Sequence, residues 1–185
     1  MEPVRYRIDA RDHLTAVNKS WAAFAAANNG VGLDPAEVIG QPLWRYLVGE
    51  ELRHLFELLL KRVRRTQQWV VLPFRCDGPG ERRFMQLEVH AYPDQSVDFV
   101  SRLLHAEPRP PVAVLGPGGA RTQERLRICS WCNRVNLSQG KWVEVEEALS
   151  HLGLFSDRDL PQLAYDLCPT CEVEFRAGLP PGEGD

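Results

Sequence analysis

The stretch QWVVLPFRCDGPGERRFMQLEVHAYPDQSVDFVSRLL, residues 68–104, carries a hydrophobic period of two through three successive runs. In the middle run Met85, Leu87 and Val89 alternate with Gln86, Glu88 and His90. A strand of that kind buries one face and wets the other. CDGPGE and PDQ separate the runs, and both are rich in residues that turn a chain. The pattern predicts three consecutive strands. Upstream, VRYRID and HLTAVN read as two more short strands around an RDH turn.

Between these two groups the period becomes helical. Asn18 stands where an N-cap belongs, before SWAAFAAANN, and Gly30 where the C-cap belongs. DPAEVIG and PLWRYLVG are short helical pieces, and EELRHLFELLLKRVRR is a longer one. In it Leu52, Leu55, Phe56, Leu59 and Val63 recur at i, i+3, i+4, i+7 and i+11, one apolar stripe. Glu50 and Glu51 open this helix and Lys61, Arg62, Arg64 and Arg65 close it, which complements the helix dipole. The fold class expected is therefore α+β.

Of the 185 residues, 44% are hydrophobic and 25% charged, the balance of a folded globular chain. The net charge of −3 does not advertise a nucleic-acid binder. No run of 18 apolar residues exists to span a membrane, and MEPVRYRIDARD has no apolar core of a secretory signal. The expected compartment is a reducing cytoplasm, where CxxC pairs serve metals or redox chemistry more often than structural disulfides.

AEPRPPVAVLGPGGARTQ, at 106–123, is dense in Pro and Gly and reads as a linker, taken as 106–124. It separates a first domain at 1–105 from a module at 125–176, with a frayed tail at 177–185. Residues 1–106 carry a net charge of +1 and residues 107–185 a net charge of −4. The second region holds four of the five cysteines as C-x2-C-x35-C-x2-C: Cys129, Cys132, Cys168 and Cys171. A module of this size rarely buries enough apolar surface to fold alone, so a staple is expected. Each CxxC offers two thiolates from one tight knuckle, and two knuckles complete a tetrahedral shell that suits Zn²⁺. Structural zinc is the expected occupant and an iron–sulfur centre the rival. A thioredoxin-like pair would want a strand before the CxxC and a full α/β domain around it, and neither is expected here. Haem attachment needs CxxCH, whereas Asn133 and Glu172 follow the two knuckles. Between the knuckles, RVNL and KWVEV flank SQG as a hairpin, and Val145, Ala148, Leu149 and Leu152 mark a short amphipathic helix.

The order strand, strand, short helices, long helix, three strands, together with VNKSWAAFAAANN, VIGQPLW and LPFRCDGPGERRFMQLEV, resembles a PAS sensor domain over roughly residues 4–105. That resemblance implies a five-stranded antiparallel sheet cupping short helices. It also implies a pocket for haem, flavin, a metabolite or nothing, and a tendency to dimerise. CSWCNRV…GKWVEVEEAL…LCPTC, within 128–175, is similar to the cysteine-containing tail that follows PAS domains in many bacterial signalling proteins. By position, Cys129, Cys132, Cys168 and Cys171 match the presumed ligands and Trp142 the hairpin tryptophan. Tyr165, Asp166 and Leu167 depart from the His-Gly-Ile usual before the third cysteine.

Candidate pocket residues are Phe24, Trp44, Leu55, Leu59 and Phe74, although aromatic residues at such spacings also serve as plain core. His54 lies beside the apolar stripe, towards solvent, which disfavours a haem-ligand role. Cys76 reads as a small core or edge residue. No phosphate loop, phosphoacceptor box, cyclase motif or nucleophile–base pair stands out, so no catalytic residue is assigned. The expectation is a bacterial regulatory protein: a PAS-like domain senses a small ligand or partner, and a zinc-held, zinc-ribbon-like module contacts a protein, as a homodimer. A zinc-dependent DNA-binding regulator and a haem or thiol redox sensor are the alternatives. The acid excess from 107 onward argues against DNA.

Overall fold

In the computed structural model, which describes residues 2–28, 30–116, 121–137, 140–153 and 160–182, the chain is α+β with two sheets. The first is antiparallel and five-stranded, in the order β2-β1-β5-β4-β3. Its strands are β1 (Val4–Ile8), β2 (Leu14–Val17), β3 (Val70–Arg75), β4 (Glu81–Ala91) and β5 (Val97–Pro108). The alternation read from sequence sets the faces. Leu72 pairs with Leu87, Val89 with Phe99 and Tyr6 with Phe99, which puts the apolar rank on one side.

That side is covered by α1 (Lys19–Ala27), α2 (Pro35–Val38), a 3-10 turn at Leu43–Arg45 and α3 (Glu50–Thr66). Asn18 caps α1 by accepting from the Trp21 amide at 3.1 Å. The helix ends on Asn28 rather than Gly30. Gly30 serves a close approach instead, since a Cβ there would stand 2.8 Å from Leu33. The α3 stripe is buried throughout, and Leu60, outside the expected set, is buried with it.

The second sheet has the order β8-β7-β6-β9: β6 (Arg121–Cys129), β7 (Val135–Asn136), β8 (Trp142–Val143) and β9 (Leu160–Asp166). The hairpin is present as β7 and β8, closed by Leu137 N–H donating to the Lys141 carbonyl at 2.8 Å. Residues 138 and 139 of the expected SQG turn lie outside the described residues. Helix α4 (Val145–Leu152) follows, with Val145 and Ala148 buried; Leu152, expected on its apolar face, is exposed. Helix α5 (Pro169–Ala177) closes the chain. β9 lies parallel to β6, a pairing the sequence did not announce.

Two expected boundaries are corrected. Within 106–124, β5 continues to Pro108 on β4, Val112 and Val114 are buried with Leu126 and Ile128, and β6 begins at Arg121. Apolar valines in a Pro-rich segment gain more by burial than by hydration, so that much of the segment is no free tether. Residues 117–120 lie outside the described residues. In the tail, Leu179 is buried, and Arg62 donates to the Pro180 carbonyl at 2.8 Å while Arg65 donates to that of Pro181. Residues 177–182 therefore dock on α3; 183–185 lie outside the described residues.

Candidate metal centre

Both cysteine knuckles sit at the ends of neighbouring parallel strands. β6 ends in Cys129, which pairs with Asp166 at the end of β9, and Cys168 follows two residues later. Parallel register therefore brings together two motifs that are far apart in sequence. Ser130 fastens the ends: its amide and hydroxyl both donate to the Asp166 carbonyl, at 2.8 and 2.9 Å. The Asp166 carboxylate accepts from the Leu167 amide at 2.8 Å and pairs with Arg127. Asn133 closes the first knuckle at φ +59°, a left-handed position that Asn tolerates.

The sulfurs of Cys129, Cys132, Cys168 and Cys171 all lie within 4.8 Å of one another, with Cys132 to Cys168 at 3.8 Å. Four sulfurs about 2.3 Å from a tetrahedral zinc are about 3.8 Å apart, so the cluster has the size of the shell. The amides of Cys168 and Cys171 donate to the sulfurs of Cys129 and Cys168, each at 3.4 Å. Cys168 is also the N-cap of α5, whose dipole favours negative charge there. Bonds from Cys132, then from Cys168 and Cys171, hold the Cys129 thiol far below the ordinary thiol range. Cys129 opposes ionisation of Cys168, but Cys132 and Cys171 outweigh it and bring that thiol down to about 7. Cys132 and Cys171 are pushed up, each first by its hydrogen bond with Cys129, which favours the protonated thiol. A cation removes that conflict. The donor set, four soft sulfurs and amide N–H groups, fits a closed four-thiolate site.

A strand precedes each CxxC and a helix follows the second, contrary to the expectation that set aside a redox pair for want of a strand. The mutual contact of all four sulfurs, rather than missing scaffolding, distinguishes this site from an isolated CxxC dithiol.

The site is built into the first sheet's core. Trp131, between the first two cysteines, was not singled out by sequence, yet its ring packs on Phe74 at 5.4 Å, Phe175 at 4.9 Å and Phe56 at 6.3 Å. Its indole N–H donates to the Pro73 carbonyl at 2.7 Å, and its own carbonyl accepts from the Arg75 amide at 2.8 Å. Cys129, Cys168, Cys171 and Phe175 share one apolar cluster with Leu52, Phe56 and Leu72. An aromatic residue held inside a metal knuckle was the available hint, and Asp166 had none.

A charged network ties the same parts. Arg75 bonds Glu144 at 2.8 and 3.0 Å and pairs with Asp77, whose side chain is fully buried. Arg109 reaches Asp77 at 3.3 Å and Glu146 at 3.1 Å. Arg134 pairs with Glu144 and Arg82 with Glu146.

The five pocket candidates do not converge on one cavity. Leu55 and Leu59 are fully packed core, Phe74 lies against Trp131, and Trp44 donates to Asp12 at 3.2 Å. Phe24 lines two adjoining cavities, of about 650 and 700 Å³, and the other four are not among their walls. The inner face near Leu72 and Phe74 is occupied by the chain's own Trp131 and Phe175, which is why the expected pocket is not there. His54 is 59% exposed beside Glu57, and Cys76 is half-buried at the end of β3.

Fold and site together define an α+β protein with a four-cysteine, metal-type centre set against a five-stranded antiparallel sheet. No family model matches the chain, and no curated protein matches it. Among solved structures it is similar to a domain of an HTR-like protein from Haloarcula marismortui, at 17% identity over 56% of this chain and 98% of that one. The TM-score of that pair is 0.36, too low to bear on either fold or function.

Proposed function

We propose that the protein is a non-catalytic signal-sensing regulator: the PAS-like sheet responds to a small ligand or partner, and the zinc-held second sheet passes the response to another protein. The observation that carries this reading is the insertion of Trp131, from inside a cysteine knuckle, into the core of the first sheet. Packed cores are bistable rather than soft, so a shift at β3 moves the knuckle with it. Zinc in a closed four-thiolate shell would supply structure only, with no open coordination position for catalysis. Cys129, Cys132, Cys168 and Cys171 would hold it. Among the described residues no helix is long and apolar enough to cross a membrane.

A DNA-reading role would draw on Arg121, Arg125, Arg127 and Arg134. Three of these are engaged: Arg121 by the carbonyls of Val114, Gly116 and Pro161, Arg127 by Asp166 and Arg134 by Glu144. The test is light scattering for the homodimer alongside titration with mixed duplex DNA at low and moderate salt. Dimers without DNA binding are expected. Submicromolar, salt-sensitive binding that is lost in Arg125→Glu/Arg127→Glu would overturn the reading in favour of a DNA regulator.

A further inference from the structure

We propose that the groove between α1 and the open end of the sheet's inner face binds an amphipathic carboxylate, an apolar body with one anionic head, and that Arg83 holds the head. This deepens the sensing role proposed above and rests on it. The cavity of about 650 Å³ is of ligand size, and its walls are mainly apolar: Val4, Phe24, Ala27, Met85 and Leu103. Leu103 stands on the inner rank of β5 opposite Met85, yet it is 39% exposed. At the other end of the same face Trp131 and Phe175 cover the sheet; here none of the described residues covers Leu103 fully.

Arg83 is set in this wall as a prepared cation. Its Nε donates to the Cys76 carbonyl and its Nη2 to Asn28 Oδ1 at 2.8 Å, while the guanidinium lies over the Phe24 ring at 5.2 Å. The side chain is only 13% exposed. Its Nη1 has one partner among the described residues, Glu81 at 3.6 Å, beyond hydrogen-bond reach. Glu2 is exposed on the rim; Glu81 is 46% exposed and pairs with Arg83 at 3.6 Å, a long, water-screened pair that contributes little. Arg83 is therefore the most buried charge on the groove wall, and a carboxylate entering the groove competes with Glu81 for its Nη1. A guanidinium already held by two bonds loses little freedom on taking a carboxylate, and it favours that planar anion over an alcohol or an amine.

The probes are decanoate, decanol and decylamine, titrated calorimetrically into the full-length, metal-replete protein. Decanoate should bind, and the other two at least about tenfold more weakly, the scale of a charge-assisted hydrogen bond. Arg83→Gln should weaken decanoate about ten- to a hundredfold and leave decanol unchanged. Because Arg83 also ties β4 to Asn28, Ala27→Trp, on the exposed side of α1, is the second variant; it should remain folded and lose decanoate. Equal binding of decanoate and decanol, preference for decylamine, or undiminished decanoate binding by either folded variant would overturn the site. Hydrogen exchange separates the site from the relay. Arg83-dependent binding that leaves β6 and α4 unchanged upholds the site and removes the sensing role.

Discussion

Trp131 joins two structures through one side chain. The indole bonds Pro73, and the ring fills the space between Phe56, Phe74 and Phe175. Trp131→Ala removes a large buried side chain and orphans a carbonyl, so about 3–5 kcal/mol of stability should be lost, as read from urea unfolding. A second residue-scale expectation concerns Asp98. Hydrogen bonding from Arg7 holds its carboxyl below the usual range, burial opposes this, and the Tyr92 hydroxyl assists at 2.9 Å. A depressed carboxylate stabilises the fold above its unfolded value of about 3.9, and that contribution is lost as pH falls through the folded value. The difference in Tm between wild type and Asp98→Asn should thus be present at neutral pH and shrink once pH falls below about 3.9. Arg7 is 44% exposed, so the effect is small and salt-sensitive.

At the scale of elements, what was legible in sequence was local. The α3 stripe and the alternation of β3 to β5 are written in neighbouring residues, and the structure bears them out. β9 was not legible. LPQLAYD alternates poorly, opens beside a proline, and has its register from β6, more than thirty residues upstream. The same limit divides the site: each CxxC knuckle could be read alone, whereas their meeting depends on the parallel pair, and the place of Trp131 depends on both sheets at once. The ion network is likewise non-local, because Asp77 on the β3–β4 turn answers Arg75 and Arg109 and, through them, the acids at the start of α4. Asp77→Ala leaves two largely buried guanidinium groups without that partner. It should cost about 3–5 kcal/mol in chemical denaturation.

For the whole molecule, the shared core means that the four-cysteine site and the fold stand together. Elemental analysis should find close to one zinc per chain, with no absorption from haem, flavin or an iron–sulfur cluster. Structural zinc contributes apparent energies on the order of 10–16 kcal/mol, so Cys129→Ser, or chelation, should loosen α3 and β3 together with α5. Hydrogen exchange reads this directly: undisturbed protection of α3 and β3 after metal removal would show the two sheets to be energetically separate. The arrangement at Pro73 carries one more consequence. That residue shows its carbonyl, and the side lacking an N–H, to the free edge of the sheet, where Trp131 takes the place of a further strand. Stripped of metal, VVLPF becomes an uncovered apolar border, but Pro73 offers no N–H there and so guards the edge against another molecule's backbone. Wild-type preparations handled in chelating buffers should therefore bind little amyloid dye, whereas Pro73→Val, which restores the missing N–H, should bind such dyes once the metal is removed.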